Sequence, residues 1–300
     1  MTKVIVICGA TATGKSEIAL DIAERIDGEI INADSMQLYR GMDIGTAKLA
    51  IGERRDIPHH MLDVLAVDQD ATVAWFQEQA RSHISDIHQR GKSAIIVGGT
   101  GLYIKSILDE LNFPDTDPEV RKKLEEIGSE LGADYLFRML QEKDPVAAIA
   151  IDRANIRRVI RALEVIEITG EPFTAHLPRE ESSRYPDALQ FGLVMEREHL
   201  RERIDQRVDR MWDAGLVDEV DQLIKSGIRS GTTAQRALGY AQILAMRDGL
   251  MSENDAKEET KRATRQYARR QETWFSRDMR ITWIAWHQPR LETILEKINS

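Results

Sequence analysis

Chemistry is first legible at Gly9-Ala10-Thr11-Ala12-Thr13-Gly14-Lys15-Ser16. The spacing is G-x-x-x-x-G-K-[ST], a phosphate-binding loop (P-loop). Its backbone N–H groups and the N-terminus of the following helix form an anion cradle. Lys15 adds a point charge, and the Ser16 hydroxyl can ligate Mg²⁺ on a phosphate. The motif says that something carrying phosphates binds, and leaves open whether it is a nucleotide. Asp34 comes next, at the end of an apolar run. A carboxylate at a strand end beside a P-loop serves as a metal ligand or a general base; the competing reading is a helix N-cap. Ser35 and Gln37 project from the same edge and could hydrogen-bond a base edge. Thr100 lies in Gly98-Gly99-Thr100-Gly101, whose glycines let backbone approach a ligand closely; the competing reading is a tight turn.

These groups need strands that end on one edge. Val4 to Cys8, Glu29 to Ala33 and Ser93 to Val97 are short apolar runs that read as buried parallel strands. Residues 16–26 carry a helical apolar period, and 71–90 form an amphipathic helix. Residues 59–64 are expected as a further short strand. In a parallel sheet, ligands bind off the C-terminal strand ends, where the P-loop, Asp34 and Thr100 all fall. The fold expected is α/β: a P-loop parallel sheet flanked by helices, with a helical insertion domain. The core domain spans 1–112 and 188–300, and the insertion spans 113–187. Asp117-Pro118 and Asp144-Pro145 are helix starts, with Asp as N-cap and Pro at the first helical position. Residues 155–168 form a helix stopped by Gly170, and 171–187 read as a polar linker. After a strand at 189–195 come helices at 199–213, 216–226, 234–247 and 253–276, then a strand at 281–286.

Three hundred residues with 42% apolar content support a sizeable core. One cysteine, Cys8, excludes an internal disulfide and a multi-cysteine zinc site. A strand beginning almost at Met1 leaves no room for a signal peptide, and no apolar run approaches a membrane span, so a cytoplasmic location is expected. The net charge of −9 argues mildly against nucleic acid, but local clusters outweigh the sum. Arg157, Arg158 and Arg161 share one helix face; Arg203, Arg207 and Arg210 form an i, i+4, i+7 stripe; Lys261, Arg265 and Arg269 form another, with Arg270 beside it. A single stripe is usually a solvated face. Three on an acidic chain point to a polyanion. Tyr267 and Trp274 read as core packing, and His59-His60 as structural. The run 93–97 ends in Gly-Gly-Thr rather than in the Asp of a standard P-loop NTPase.

Together these stretches resemble the tRNA dimethylallyltransferase (tRNA isopentenyltransferase) family. The matching residues are the P-loop; Ala33-Asp34-Ser35-Met36-Gln37-Leu38-Tyr39-Arg40-Gly41; His59-His60-Met61-Leu62-Asp63; Val97 to Tyr103; Arg157 to Val165; Gly239-Tyr240; and Thr264-Arg265-Gln266-Tyr267-Ala268-Arg269-Arg270-Gln271-Glu272-Thr273-Trp274-Phe275. They run through nearly the whole chain in the family's order. Ala10 stands where the family usually has Pro, and Ile156-Arg157 where many members read Pro-Gln, which leaves Arg158 the better match.

The resemblance implies transfer of a dimethylallyl group from dimethylallyl diphosphate to N6 of the adenosine 3′ of the anticodon in tRNA, releasing diphosphate. It implies Asp34, Thr100 and Arg207 as catalytic residues, and Gly9 to Ser16 as the diphosphate site, with Mg²⁺ on Ser16. The tRNA contacts it implies are Asp34, Ser35, Met36, Gln37, Thr100, Lys122, Arg157, Arg158, Val159, Ile160, Arg161, Arg265, Arg269 and Arg270. The resemblance also implies that the 113–187 insertion contacts tRNA, and a monomer binding tRNA and no membrane is expected. Three other readings remain at this point: an adenylate isopentenyltransferase on free nucleotide, a P-loop kinase or ATPase, and a non-catalytic RNA-binding module.

Overall fold

The computed structural model describes residues 2–176 and 183–300. Part of the expected linker, 177–182, lies outside the described residues. The chain divides into two compact units, Met1–Leu108 with Arg184–Ser300, and Asp109–Ser183.

The first unit is built on β-branched runs too short for helices. They form β1 (Val4–Gly9), β2 (Gly28–Asn32), β3 (His59–His60), β4 (Ser93–Val97), β5 (Leu189–Val194) and β6 (Ile281–Ala285). All six pair in parallel, in the order β3-β2-β4-β1-β5-β6. The chain leaves β1 for β2 on one side and returns from β4 to β5 on the other, so the connections diverge between the adjacent strands β1 and β4. Such a divergence opens a crevice at the carboxyl ends of the strands.

Alternation along β1 divides the core. Ile5 and Ile7 pack with Ile18 and Ile22 of α1 (Lys15–Ile26) and Ile294 of α12 (Arg290–Asn299). Val4, Val6 and Cys8 face the opposite layer. That layer holds α2 (Val73–Gln89), α3 (Gly101–Leu108), α9 (Leu216–Lys225), α10 (Tyr240–Arg247) and the C-terminal end of α11 (Glu253–Phe275). Each buried aliphatic side chain contributes about 1.5–3 kcal/mol of transfer free energy. Between β5 and α9 runs α8 (Arg197–Asp213), whose Leu200 and Ile204 pack on Ala10, Ala12 and Ala268. A small apolar cluster therefore lies beneath the P-loop.

Two expectations for this unit need correction. The strand expected over 59–64 stops at His60, because Met61 and Asp63 have φ of 62° and 58°, outside the extended region. The helix expected over 234–247 is broken: a short 3₁₀ turn at Ala234–Arg236 is separated from α10 by Gly239, at φ 86°. In addition, α12 follows β6, an element that the sequence reading did not include.

The second unit is helical: α4 (Pro118–Leu131), α5 (Ala133–Lys143), α6 (Pro145–Ala150) and α7 (Ile156–Thr169). Asp117 caps α4 by accepting from the Glu119 and Val120 N–H groups, and Asp144 caps α6 through Ala147 N–H. Leu124, Leu136, Leu140, Val159 and Leu163 close its own core.

Candidate active site

The P-loop connects β1 to α1 as its spacing requires. Inside the loop, Lys15 Nζ donates to the Ala10 carbonyl at 2.6 Å, and Thr13 Oγ1 donates to the same oxygen at 2.8 Å. Burial, with the Arg207 guanidinium nearby, pulls the Lys15 ammonium down to about 8, a shift that Asp34 opposes. Two arginines of α8 reach the loop from outside. Arg203 Nε donates to the Ala12 carbonyl at 3.0 Å, and Arg207 Nη1 approaches the Thr11 hydroxyl at 3.4 Å. Desolvation and the neighbouring Arg203 and Arg210 lower the Arg207 pKa, while Asp34 raises it. A cation in such surroundings has reason to take an anionic partner.

Asp34 leaves the end of β2 in a fixed orientation. The buried Asn32 side chain accepts from Asp34 N–H at 3.0 Å. Asn32 Nδ2 donates to the carbonyls of Asp34 (3.0 Å) and Met61 (2.9 Å). The Asp34 carboxylate accepts from Met36 N–H at 2.9 Å. Burial nevertheless raises its pKa above the ordinary carboxylate value, against that hydrogen bond and the pull of Lys15, Gln37 N–H and Arg207. Asp34 does cap a local turn, but it also lines the cavity shared by the P-loop, Ser16, Arg203 and Arg207.

Thr100 sits on the turn after β4. Its hydroxyl accepts from Ser35 N–H at 3.1 Å, so the β2 and β4 loops are joined beside Asp34. The turn passes so close to β2 that a Cβ on Gly98 would lie 2.2 Å from the Ala33 carbonyl oxygen. Only glycine fits there. Tyr267 of α11 meets the Thr100 and Gln271 side chains, and burial and Asp34 push its phenol up to about 12. Tyr267 thus belongs to the site rather than to the core. Trp274, also expected in the core, is 44% exposed.

Gln37 lines the cavity and donates to the Thr46 carbonyl at 3.0 Å. Met36 packs on the core, with its N–H already given to Asp34. His59, read as structural, lines the same cavity; Nδ1 meets the Ile57 carbonyl at 2.8 Å and burial lowers its pKa. His60 instead bonds Glu29 at 2.8 Å. On α11, Arg265 pairs with Asp205 of α8, whereas Arg269 and Arg270 are exposed, with Arg270 5.7 Å from the Tyr267 ring centroid.

The second unit sorts its candidates. Lys122, Arg157 and Arg158 are exposed. Arg161 is committed internally: its guanidinium donates to the Pro114 carbonyl (2.6 Å) and to Glu164 (2.9 Å). Glu164 is fully buried and also pairs with Arg121 at 2.6 Å. Val159 and Ile160, at 1% and 8% exposure, turn their side chains into the core of this unit. The contiguous stretch 157–161 hid this division. The helical period carries the signal that separates its faces.

Sequence reading gave no role to Gln271, quoted only within the 264–275 match, or to Asn32 and Arg290. Gln271 joins the P-loop to the β4 turn, Asn32 orients Asp34, and Arg290 donates to the Thr13 carbonyl at 3.0 Å. Nothing in their types or spacing sets them apart before the fold is known.

Known proteins resemble this chain in sequence and fold. The sequence model of the IPP transferase family matches residues 37–278. A tRNA dimethylallyltransferase of Thermobifida fusca is 56% identical over 296 residues, covering 97% of this chain and 92% of the relative. One from Streptomyces griseus is 54% identical over 282 residues, covering 94% and 90%. The full-length tRNA isopentenylpyrophosphate transferase of Bacillus halodurans superposes with a TM-score of 0.73 at 38% identity, covering 100% of this chain and 96% of that one. A eukaryotic dimethylallyltransferase acting on tRNA gives a TM-score of 0.79 at 29% identity, covering 95% and 74%.

Proposed function

The chain belongs to the IPP transferase family, and from that premise we propose that it is a tRNA dimethylallyltransferase acting at the cavity lined by the P-loop, Asp34 and Arg207. It transfers a dimethylallyl group from dimethylallyl diphosphate to tRNA and releases diphosphate. The acceptor atom in this reading is N6 of the adenosine immediately 3′ of the anticodon.

The observation that carries the site assignment is the meeting of a raised-pKa carboxylate with a cationic phosphate cradle in one cavity. An exocyclic amine is a poor nucleophile, and its proton must leave as the N–C bond forms. Asp34 takes that proton, and its raised pKa makes it a stronger base than an ordinary carboxylate. The C–O bond to diphosphate breaks, and charge gathers on the leaving oxygen. In this reading loop N–H groups, Lys15 and Arg207 receive that charge. Thr100 and Ser35 hold the Asp34 loop against the β4 turn and fix the approach of the amine. To reach Asp34, the adenine must swing out of its stack.

A Mg²⁺ ion fits the donor set. Ser16 and Asp34 offer hard oxygens on the cavity wall, and among the described residues no three acidic, His or Cys side chains form a metal cage. Ser16 would be the protein ligand of such an ion, with substrate phosphate and water as its other partners. When bound it supplies further neutralisation of the diphosphate charge.

Lys122, Arg157, Arg158, Arg269 and Arg270 are exposed cations suited to tRNA phosphates. The residue 109–183 unit supplies the first three. We also read the enzyme as a cytoplasmic monomer. A tRNA acceptor supports the location. Among the described residues, no helix is long and apolar enough to cross a membrane.

Diphosphate release tests the reading. It should require dimethylallyl diphosphate and tRNA together, and AMP should not replace tRNA. ATP turnover to ADP without a prenyl donor would return the P-loop to nucleotide chemistry.

A further inference from the structure

Gln271 lies on α11, outside both substrate loops, yet its side chain touches each of them. Its Oε1 accepts from Thr11 N–H in the P-loop at 2.8 Å. Its Nε2 donates to the Gly99 carbonyl in the β4 turn at 2.9 Å. An N–H can only donate and a carbonyl can only accept, so these partners fix which end of the carboxamide faces which loop. The side chain is 4% exposed. A Cβ on Gly99 would lie 2.1 Å from Nε2, so glycine at 99 leaves the space that the carboxamide occupies. One turn earlier on α11, Tyr267 meets both Thr100 and Gln271.

We propose that Gln271 is the positioning residue that sets the spacing between the diphosphate-binding loop and the Thr100 turn, and so between the leaving group and the attacking amine. This rests on the prenyl-transfer reading for its kinetic consequence, but the clamp itself does not. Both halves of the site sit on loops that leave neighbouring strands at the point where the chain diverges, so their separation needs a tie of its own. A primary amide supplies the donor and acceptor that the two loops require. A carboxylate can accept from Thr11 but cannot donate to Gly99, and a leucine can do neither. Displacement of reacting groups by about 1 Å costs on the order of 100-fold in rate.

The test compares Gln271→Glu, Gln271→Leu and the parent full-length enzyme. Thermal midpoints, inorganic diphosphate affinity, anticodon stem-loop affinity, and the kcat and KM for dimethylallyl diphosphate are measured on each. The expected result is a kcat lowered at least tenfold and diphosphate binding weakened at least fivefold, with stem-loop affinity within twofold. A residue that merely supports the fold would instead lower the thermal midpoint and weaken all three together. If the Gln271 variants do not fold, Gly99→Ala displaces the carboxamide without removing it, and the same pattern is expected. Folded variants with unchanged kcat and unchanged diphosphate affinity would overturn the proposal. Should the parent transfer no prenyl group, the function would fail while the diphosphate titration still decides the clamp.

Discussion

Ser35 donates its backbone N–H to the Thr100 hydroxyl at 3.1 Å, and this bond brings the end of β2 to the end of β4. Asp34 is the residue just before Ser35, held from its other side by Asn32. The carboxylate is thus positioned by side chains that need not touch substrate. Replacing it tests its role as a base with little change of shape. For Asp34→Asn, kcat is expected to fall about 10²–10⁴-fold, the range for loss of a general base. Stem-loop binding by fluorescence anisotropy should stay within about twofold, because the amide is isosteric. Full activity in this variant would remove Asp34 from the chemistry.

The two key groups titrate from opposite sides. Burial raises Asp34, so its base form is lost as pH falls, and the loss begins above the ordinary carboxylate value of 3.8. Burial and Arg207 bring Lys15 down to about 8, so its charge is lost as pH rises through that value. In the free enzyme, kcat/KM for dimethylallyl diphosphate is therefore expected to be bell-shaped, with an alkaline limb near pH 8. Bound diphosphate favours the charged lysine and should move that limb upward in kcat. A kcat/KM profile flat from pH 7 to 10 would count against Lys15 as a partner of the diphosphate.

Arginines on α7 should separate into two kinds. Arg157 and Arg158 are exposed, and Ala at either is expected to weaken tRNA binding and reduce the slope of log affinity against log salt by about one. Arg161 holds the fully buried Glu164 at 2.9 Å. Its loss leaves that carboxylate with fewer partners, so Arg161→Ala should cost about 1–3 kcal/mol in chemical unfolding. Its salt slope should stay unchanged. Equal salt slopes for all three variants would contradict this division.

Much of this molecule was legible before the fold, and the reasons are local. Val4 to Cys8 and Ser93 to Val97 are runs too apolar and too short to be anything but buried strands in this setting, and the P-loop glycines mark their own turn. Asp34 and Thr100 were found because strand ends in a parallel sheet share an edge. The errors also have physical causes. Positive φ at Met61 cannot be read from a residue type that rarely adopts it, and Asp63 is one of many aspartates of which only a few adopt it. The inward turn of Val159 and Ile160 beside the exposed Arg157 and Arg158 follows from the helical period and not from the contiguous stretch. Gln271 acts through hydrogen bonds to backbone atoms far away in sequence, reaching the loop 260 residues earlier, and Asn32 joins Asp34, two residues on, to the distant Met61 carbonyl. No local pattern announces such a bond.

The most direct measurement is mass spectrometry of nuclease-digested tRNA after incubation with the enzyme, Mg²⁺ and dimethylallyl diphosphate. The account predicts one five-carbon adduct on the adenosine 3′ of the anticodon, reduced at least 100-fold with Asp34→Asn and missing from AMP treated in parallel. An adduct on AMP but not on tRNA, or none on either with ATP hydrolysed, would contradict it.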